Sequence, residues 1–527
     1  MAAYFSVAFG SIASLYLFLR ILLSLTQDVQ EPPAIETSLP FLGPLINLLR
    51  GKSQYYVALR DKFHLPMYTL RLPFSRIYVL STPKLIPSAQ KQWRTLSLAP
   101  FTAGAGKFLG MSKPSIKVMH QDVIGENGYN STWIRRITPI LGPGEDLDAI
   151  NRRSVELFLD DLTKFNPKGD RVGFWEWTRA SIIKATAESI YGPRNPLRDP
   201  KVGEAWKQVE ARYPLHLPKA PLMVKSRIFE ASFLSLAISP LPSLFSKKTW
   251  RARETLATAM TQYMAADGHK DGSTLVQLRH DIHRYEYNFP VEDVARAEIG
   301  NTFAALGNTT PTAWWFLYHI FSDPKVLSDV RGELEACVRV LPDTDLHSHS
   351  IDLACIRQAC PILLSTFQEM LRFRAINAGP RLVMEDVMLE GYLLKKGNIV
   401  MIPASVHQTD RSTWGDDATV FDHMRFARGL SKKGQSRVAF RALGGGGGSR
   451  AYGTSIASGF PIPDYDIPVD IRRRHPERKW HVTLSGSNET MGIVSEDLQK
   501  GGGRCLDISA CCILRGGLLA GWFMVSF

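Results

Sequence analysis

The chain opens on an apolar block. Ala2 to Leu25, AAYFSVAFGSIASLYLFLRILLSL, is interrupted only by Arg20 and a few hydroxyls. As a helix such a stretch is roughly 36 Å long, enough to cross a hydrocarbon core of about 30 Å. No basic residue precedes the run and no small-x-small site ends it, which favours an anchor over a cleaved signal peptide. Arg50 and Lys52 follow the span while nothing charged precedes it, so the bulk of the chain is expected on the cytoplasmic side. Glu31-Pro32-Pro33 and Leu39-Pro40-Phe41-Leu42-Gly43-Pro44 come next, and their prolines stiffen the backbone and oppose a continuing helix. The expected division is an anchor over 1–26 and a proline-rich segment over 27–48. A rigid hinge and an ordinary linker are both compatible with the latter.

Further on the polarity pattern alternates between two periods. PMYTLRLPFSRIYVLSTP predicts two strands joined at a turn, LPFS. From about Leu147 to Phe321 the spacing is helical, through LDAINRRSVELFLDDLTKF, WEWTRASIIKATAESIYG and ARAEIGNTFAALGNTTPTAWWFLYHIF. KVLSDVRGELEACVRVL and PILLSTFQEMLRF predict two more helices. A strand-rich section follows in RLVMEDVMLEGYLL, a Lys396-Gly397 turn and NIVMIPASVHQ. The pattern predicts a mainly α fold with small β-sheets, and no break in composition divides it.

Composition narrows the classes. In 527 residues, 45% hydrophobic and 21% charged, there is material for a sizeable core. The net charge of +13 suits acidic partners or an anionic membrane face. The densest basic run, Arg472 to Lys479, lacks interleaved aromatics, so no nucleic-acid partner is expected. Six cysteines without regular spacing do not form a disulfide scaffold, and Cys355 and Cys360 have no second pair or His cluster to complete a zinc site.

The chemistry-bearing residues lie late in the chain. Glu369 and Arg372 are three apart on a predicted helix, where they can pair. Phe367, Met370, Leu371 and Phe373 surround them, so the pair is expected to be buried and to need further hydrogen bonds. Arg425, in Phe421-Asp422-His423-Met424-Arg425-Phe426, offers a third member.

Taken in order, the anchor, the proline-rich segment, the long central helix, Glu369-x-x-Arg372, the strands ending at His407 and Arg425-Phe426 resemble a membrane-bound cytochrome P-450. The resemblance covers roughly residues 1 to 448 and places the domain over 49–475. It implies a single N-terminal transmembrane helix before the P-450 fold, in the endoplasmic reticulum membrane with the catalytic domain cytoplasmic. It also implies haem and electrons from NADPH through a reductase partner. Glu369, Arg372 and Arg425 match the family's structural triad, and Arg381 matches the position whose guanidinium reaches a haem propionate. In Ala305-Leu306-Gly307-Asn308-Thr309-Thr310-Pro311, Asn308 stands where the family usually has an acid, and Thr309 where it has the oxygen-side hydroxyl. An amide orients water but donates no titrating proton. This stretch resembles the branch containing oxysterol 7α-hydroxylases and prostacyclin synthases, and Pro311 is expected to kink the helix. A proline-kinked core helix with satisfied polar groups reads the same way.

The family's haem-ligand loop is where the resemblance fails. Phe440-Arg441-Ala442-Leu443-Gly444 leads to Arg450 where the thiolate cysteine is expected, and no cysteine lies between Cys360 and Cys505. Arginine offers no lone pair to a metal, and the helix expected after the loop is missing around 449–459. The span 476–527 is expected to be an atypical tail. Two readings follow. One is a monooxygenase acting on a lipophilic molecule (a terpenoid, sterol or polyketide of secondary metabolism), with Trp175, Trp177, Phe229, Phe233 and Phe245 either lining an apolar pocket or filling plain core. The other is a non-catalytic protein of the same fold without the thiolate.

Overall fold

The computed structural model describes residues 2–142, 144–166, 169–210, 246–341, 348–427, 460, 463 and 466–483. Phe229, Phe233, Phe245, the 440–459 loop with Arg450, and Cys505 lie outside them. Helices dominate, and the described strands are short: β1 (Met67–Leu72), β2 (Ser75–Leu80), β3 (Leu96–Ser97), β4 (Asp170–Gly173), β5 (Val338–Val340), β6 (Ser348–Asp352), β7 (Ala378–Val383), β8 (Val387–Leu389), β9 (Tyr392–Leu394), β10 (Ile399–Pro403), β11 (Pro468–Ile471) and β12 (Lys479–Thr483). The largest sheet has the order β1-β2-β10-β7-β3.

The first helix, Ala2–Thr26, contains the segment Phe9–Thr26, long and apolar enough to cross a membrane, with mean hydropathy 1.7 and none of it buried. The chain after it is docked rather than loose. Ile35 donates to the Thr69 carbonyl (2.9 Å), Thr69 donates to the Pro33 carbonyl (2.8 Å), and the Tyr78 hydroxyl and Arg76 Nε meet the buried Glu31 carboxylate at 2.5 and 3.0 Å. The next helix, Leu42–Phe63, starts inside the span expected as hinge. Pro44 falls in its first turn, where a missing amide costs no intrahelical bond.

The predicted LPFS turn joins β1 to β2 with Phe74 at φ 64°. Two other boundaries differ from expectation. The helix expected to run through Leu341 stops at Ala336, and Val338–Val340, β-branched at both ends, pairs with β6 instead. The strand expected to reach His407 ends at Pro403, and Ala404–Gln408 is a short helix. Proline closes the ladder there because it has no amide to donate. β12, within the span expected as tail, pairs in parallel with β6, and β11 pairs with β4.

The core is organised around the central helix, Val291–Phe321. Leu306, Trp314 and Leu317 belong to one apolar cluster, while Phe316 and Ile320 join a second with Phe367, Met370 and Leu371. Phe316 meets Phe367 edge-on with centroids 5.1 Å apart. Burying each of these side chains is worth roughly 1.5–3 kcal/mol, which holds the central helix against the helix carrying Glu369. Trp175 and Trp177 are partly buried and pack on this core, Trp175 against Trp314 and Trp177 against Phe165.

Candidate functional site

The helix Pro361–Arg374 begins with proline in its first turn, and the Glu333 carboxylate accepts the amides of Ile362 (2.8 Å) and Leu363 (2.9 Å). Two of the four amides a helix start leaves unpaired are thereby satisfied. From this start the spacing delivers Glu369 and Arg372 to one buried face. Arg372 Nε and Nη2 donate to the two Glu369 oxygens, both at 2.7 Å, and Arg372 Nη1 donates to the carbonyls of Gln408 (2.6 Å) and Ala418 (2.7 Å). Arg425 Nε reaches the same carboxylate at 3.1 and 3.2 Å, and the Asp422 amide adds a bond at 3.1 Å. All three charged side chains are at most 2% exposed. The sequence reading missed a fourth member: Asp417 bonds Arg425 Nη1 at 3.1 Å, and that bond holds its carboxyl below the usual carboxylate range. An acid eight residues before Arg425 was the available signal. The Ser365 hydroxyl accepts the amides of Phe426 and Ala427, both at 3.0 Å, pinning the chain where it leaves this network.

Arg381 is set differently. It lies on β7 opposite Val400 of β10, is 8% exposed, and its guanidinium donates to the carbonyl of the adjacent Pro380 (2.9 Å). Among the described residues no carboxylate pairs with it, and burial alone pushes it down to about 10. Arg374, also without a described carboxylate partner, lies 3.7 Å over the Trp315 ring and donates to His319 Nε2 (3.0 Å). Burial pushes His319 down to about 3, so its ring stays neutral and accepts, stacked 3.9 Å from Phe421. Nothing in the local sequence pattern singled out that cluster.

On the central helix Asn308, Thr309 and Thr310 are buried. The Thr309 hydroxyl donates to the Ala305 carbonyl, the Thr312 hydroxyl donates to the Asn308 carbonyl (2.7 Å), and the Thr310 hydroxyl has no hydrogen-bond partner among the described residues. The helix runs unbroken through Pro311, whose missing amide leaves the Gly307 carbonyl without its helix donor. The structure brings Glu369, Arg372 and Arg425 together. Asn308 and Thr309 stand on a second element, joined to the first through Phe316 and Phe367, and Arg381 stands on the sheet.

A buried guanidinium with no counter-charge is costly, several kcal/mol even after relaxation, and an anionic group alongside removes that cost. The carboxylates of haem fit the unpaired Arg381 in charge and in hydrogen-bond geometry. Among the described residues no group of three or more His, Cys, Asp or Glu side chains is arranged to hold a metal. The described cysteines are Cys337, Cys355 and Cys360, and the first and last are buried in the core.

Residues 33–457 match the family model described as Cytochrome P450. The chain is 30% identical over 79% of its length, and 78% of the relative's, to "Cytochrome P450 monooxygenase nodJ" of Hypoxylon pulicicidum. It is 22% identical to bovine "Prostacyclin synthase", covering 80% of this chain and 81% of that one, and 23% identical to mouse "Cytochrome P450 7B1", covering 75% and 73%. The solved structure of a retinoic acid bound cyanobacterial CYP120A1 matches with TM-score 0.57 at 18% identity, over 80% of this chain and 87% of that one.

Proposed function

The chain belongs to the cytochrome P450 family, and from that premise we propose that it is a membrane-anchored haem monooxygenase acting on a lipophilic small molecule. The substrate class is a terpenoid, sterol or polyketide of secondary metabolism, in keeping with the fungal monooxygenase among its relatives. The apolar Phe9–Thr26 segment supports an anchor in the endoplasmic reticulum membrane with the remaining chain cytoplasmic. A basic chain suits a reductase with an acidic face that passes on electrons from NADPH.

The observation that carries the cofactor assignment is Arg381, buried and cationic, with no carboxylate partner among the described residues. It holds a haem propionate in this reading, and bound haem supplies the activation of dioxygen. The protein's part is proton handling and exclusion of water. Asn308 presents an amide that orients water without titrating, and the Thr309 hydroxyl, donating to Ala305, keeps its lone pairs available to accept a proton donor. Glu369, Arg372 and Arg425 keep the surrounding elements in register.

A second reading rests on one observation: no cysteine lies between Cys360 and Cys505 and Arg450 stands at the ligand position. On that reading the chain folds as its relatives do without a thiolate on iron. One experiment separates the two. Purified full-length protein is supplied with haem, reduced and exposed to carbon monoxide. A thiolate-type absorbance band supports the monooxygenase. Bound haem without that band supports the second reading, and no haem uptake at all overturns the assignment of Arg381.

A further inference from the structure

Three thiols meet beneath the start of the Glu369 helix. Cys337 caps the end of the helix Pro324–Ala336, and Cys360 stands at the N-cap of Pro361–Arg374. Their Sγ atoms are 3.8 Å apart, and both side chains are buried at 2% and 0% exposure. Cys355, on the short helix Leu353–Ala359, packs against the same apolar cluster, is half-buried, and has its thiol in hydrogen-bonding reach of Cys337. Going from the present contact to the roughly 2.05 Å of a disulfide takes less than about 2 Å of movement. No part of the haem chemistry requires these residues.

We propose that Cys337 and Cys360 are an oxidation site that hydrogen peroxide converts to a disulfide, with Cys355 as the entry thiol. Solvent access selects the order of steps. Burial pushes the Cys337 thiol up to about 11 and the Cys360 thiol higher still, so both react slowly, and peroxide meets the half-exposed Cys355 first. The Cys355 sulfur attacks one peroxide oxygen, the O–O bond breaks, and a sulfenic acid and one water form. The Cys337 sulfur then attacks the Cys355 sulfur, the S–O bond breaks, and a second water leaves as the Cys337–Cys355 disulfide forms. Cys360 attacks the Cys337 sulfur, the S–S bond breaks, and Cys355 departs with the proton that Cys360 gives up. In sum, two thiols lose two electrons and one peroxide becomes two waters. The product joins the end of one helix to the start of the helix that carries Glu369 and Arg372.

The test uses the purified full-length chain exposed to hydrogen peroxide, alkylated, digested and mapped by mass spectrometry. The expected product is a Cys337–Cys360 cross-linked peptide pair, two hydrogens lighter than the reduced pair and restored by dithiothreitol. Cys355→Ser forms the same product roughly tenfold more slowly, and in Cys360→Ala the relay stops at Cys337–Cys355. The wild-type map decides the site even if a core variant fails to fold. Overoxidation of Cys355 with Cys337 and Cys360 still open to alkylation overturns the proposal. So does a final cross-link through Cys505, Cys511 or Cys512, or an unchanged rate in Cys355→Ser.

Discussion

Two buried arginine sites lie within ten residues of each other, and their chemistry is opposite. Arg372 is fully answered from within the chain: two carboxylate bonds, and carbonyls from Gln408, Ala418 and Val420 for the remaining three donors. Arg381 is nearly as buried and, among the described residues, makes one hydrogen bond, to its own neighbour's carbonyl. The first site is complete in the polypeptide, since every buried charge meets an opposite charge or a lone pair. The second has no carboxylate partner among the described residues. Burial alone therefore does not distinguish a structural charge from a binding charge; the supply of partners does.

The comparison is broken most severely at Glu369. Glu369→Gln leaves Arg372 and Arg425 facing a neutral amide, and a loss of about 3–5 kcal/mol is expected. Thermal unfolding or the soluble yield measures it, and a loss under about 1 kcal/mol would sink the claim that the triad is a closed buried network. Arg381→Leu should act the other way on the apoprotein, leaving its unfolding midpoint equal or higher because a lone buried charge is removed. Its haem affinity should fall roughly 10- to 100-fold for a lost charge-assisted hydrogen bond. Haem titration of the apoprotein reads this, and unchanged affinity places the propionate elsewhere.

Asp417 sharpens the contrast, because it is the triad's half-exposed end. Its bond to Arg425 lowers the folded carboxyl below its ordinary 3.8. The stabilisation is thus fully present above that ordinary value and lost as pH falls through the lower folded value. With half its side chain exposed, solvent screens the pair, and Asp417→Asn should cost under about 1 kcal/mol at pH 7. The difference between wild type and Asp417→Asn in a series of unfolding midpoints should shrink as pH falls below the ordinary 3.8; a gap that does not shrink there refutes the assignment. The smallest effect is expected at Thr310, whose buried hydroxyl has no partner among the described residues. Thr310→Val should leave the apoprotein unchanged or raise its stability by less than about 1 kcal/mol, and a clear fall shows that the hydroxyl has a protein partner.

Much of this was readable before any coordinates. The central helix, the helix of Glu369 and the hairpin that turns at Phe74 follow from periodicity, because each element's pattern lies within its own residues. Boundaries were less legible. Val338–Val340 continues an apolar pattern that reads as helix, yet it pairs with β6, a choice made by a partner strand outside the window. The proline-rich segment was legible as stiff but not as docked, since Glu31 meets Tyr78 and Arg76 across more than forty residues of chain. Asp417 and the Arg374–His319–Phe421 cluster were missed for the same reason.

The amino-acid sequence alone determined the apolar first helix, the order of the elements that identify the family, the amide at Asn308 in place of an acid, and the absence of a cysteine between Cys360 and Cys505. These are matters of residue identity and spacing, which no folding step alters. Tertiary structure decided which arginine is neutralised, which one has no carboxylate among the described residues, and that Cys337 and Cys360 face each other at 3.8 Å. Partners and solvent exposure are properties of contacts between distant segments, and those contacts exist only once the helices and sheets have packed.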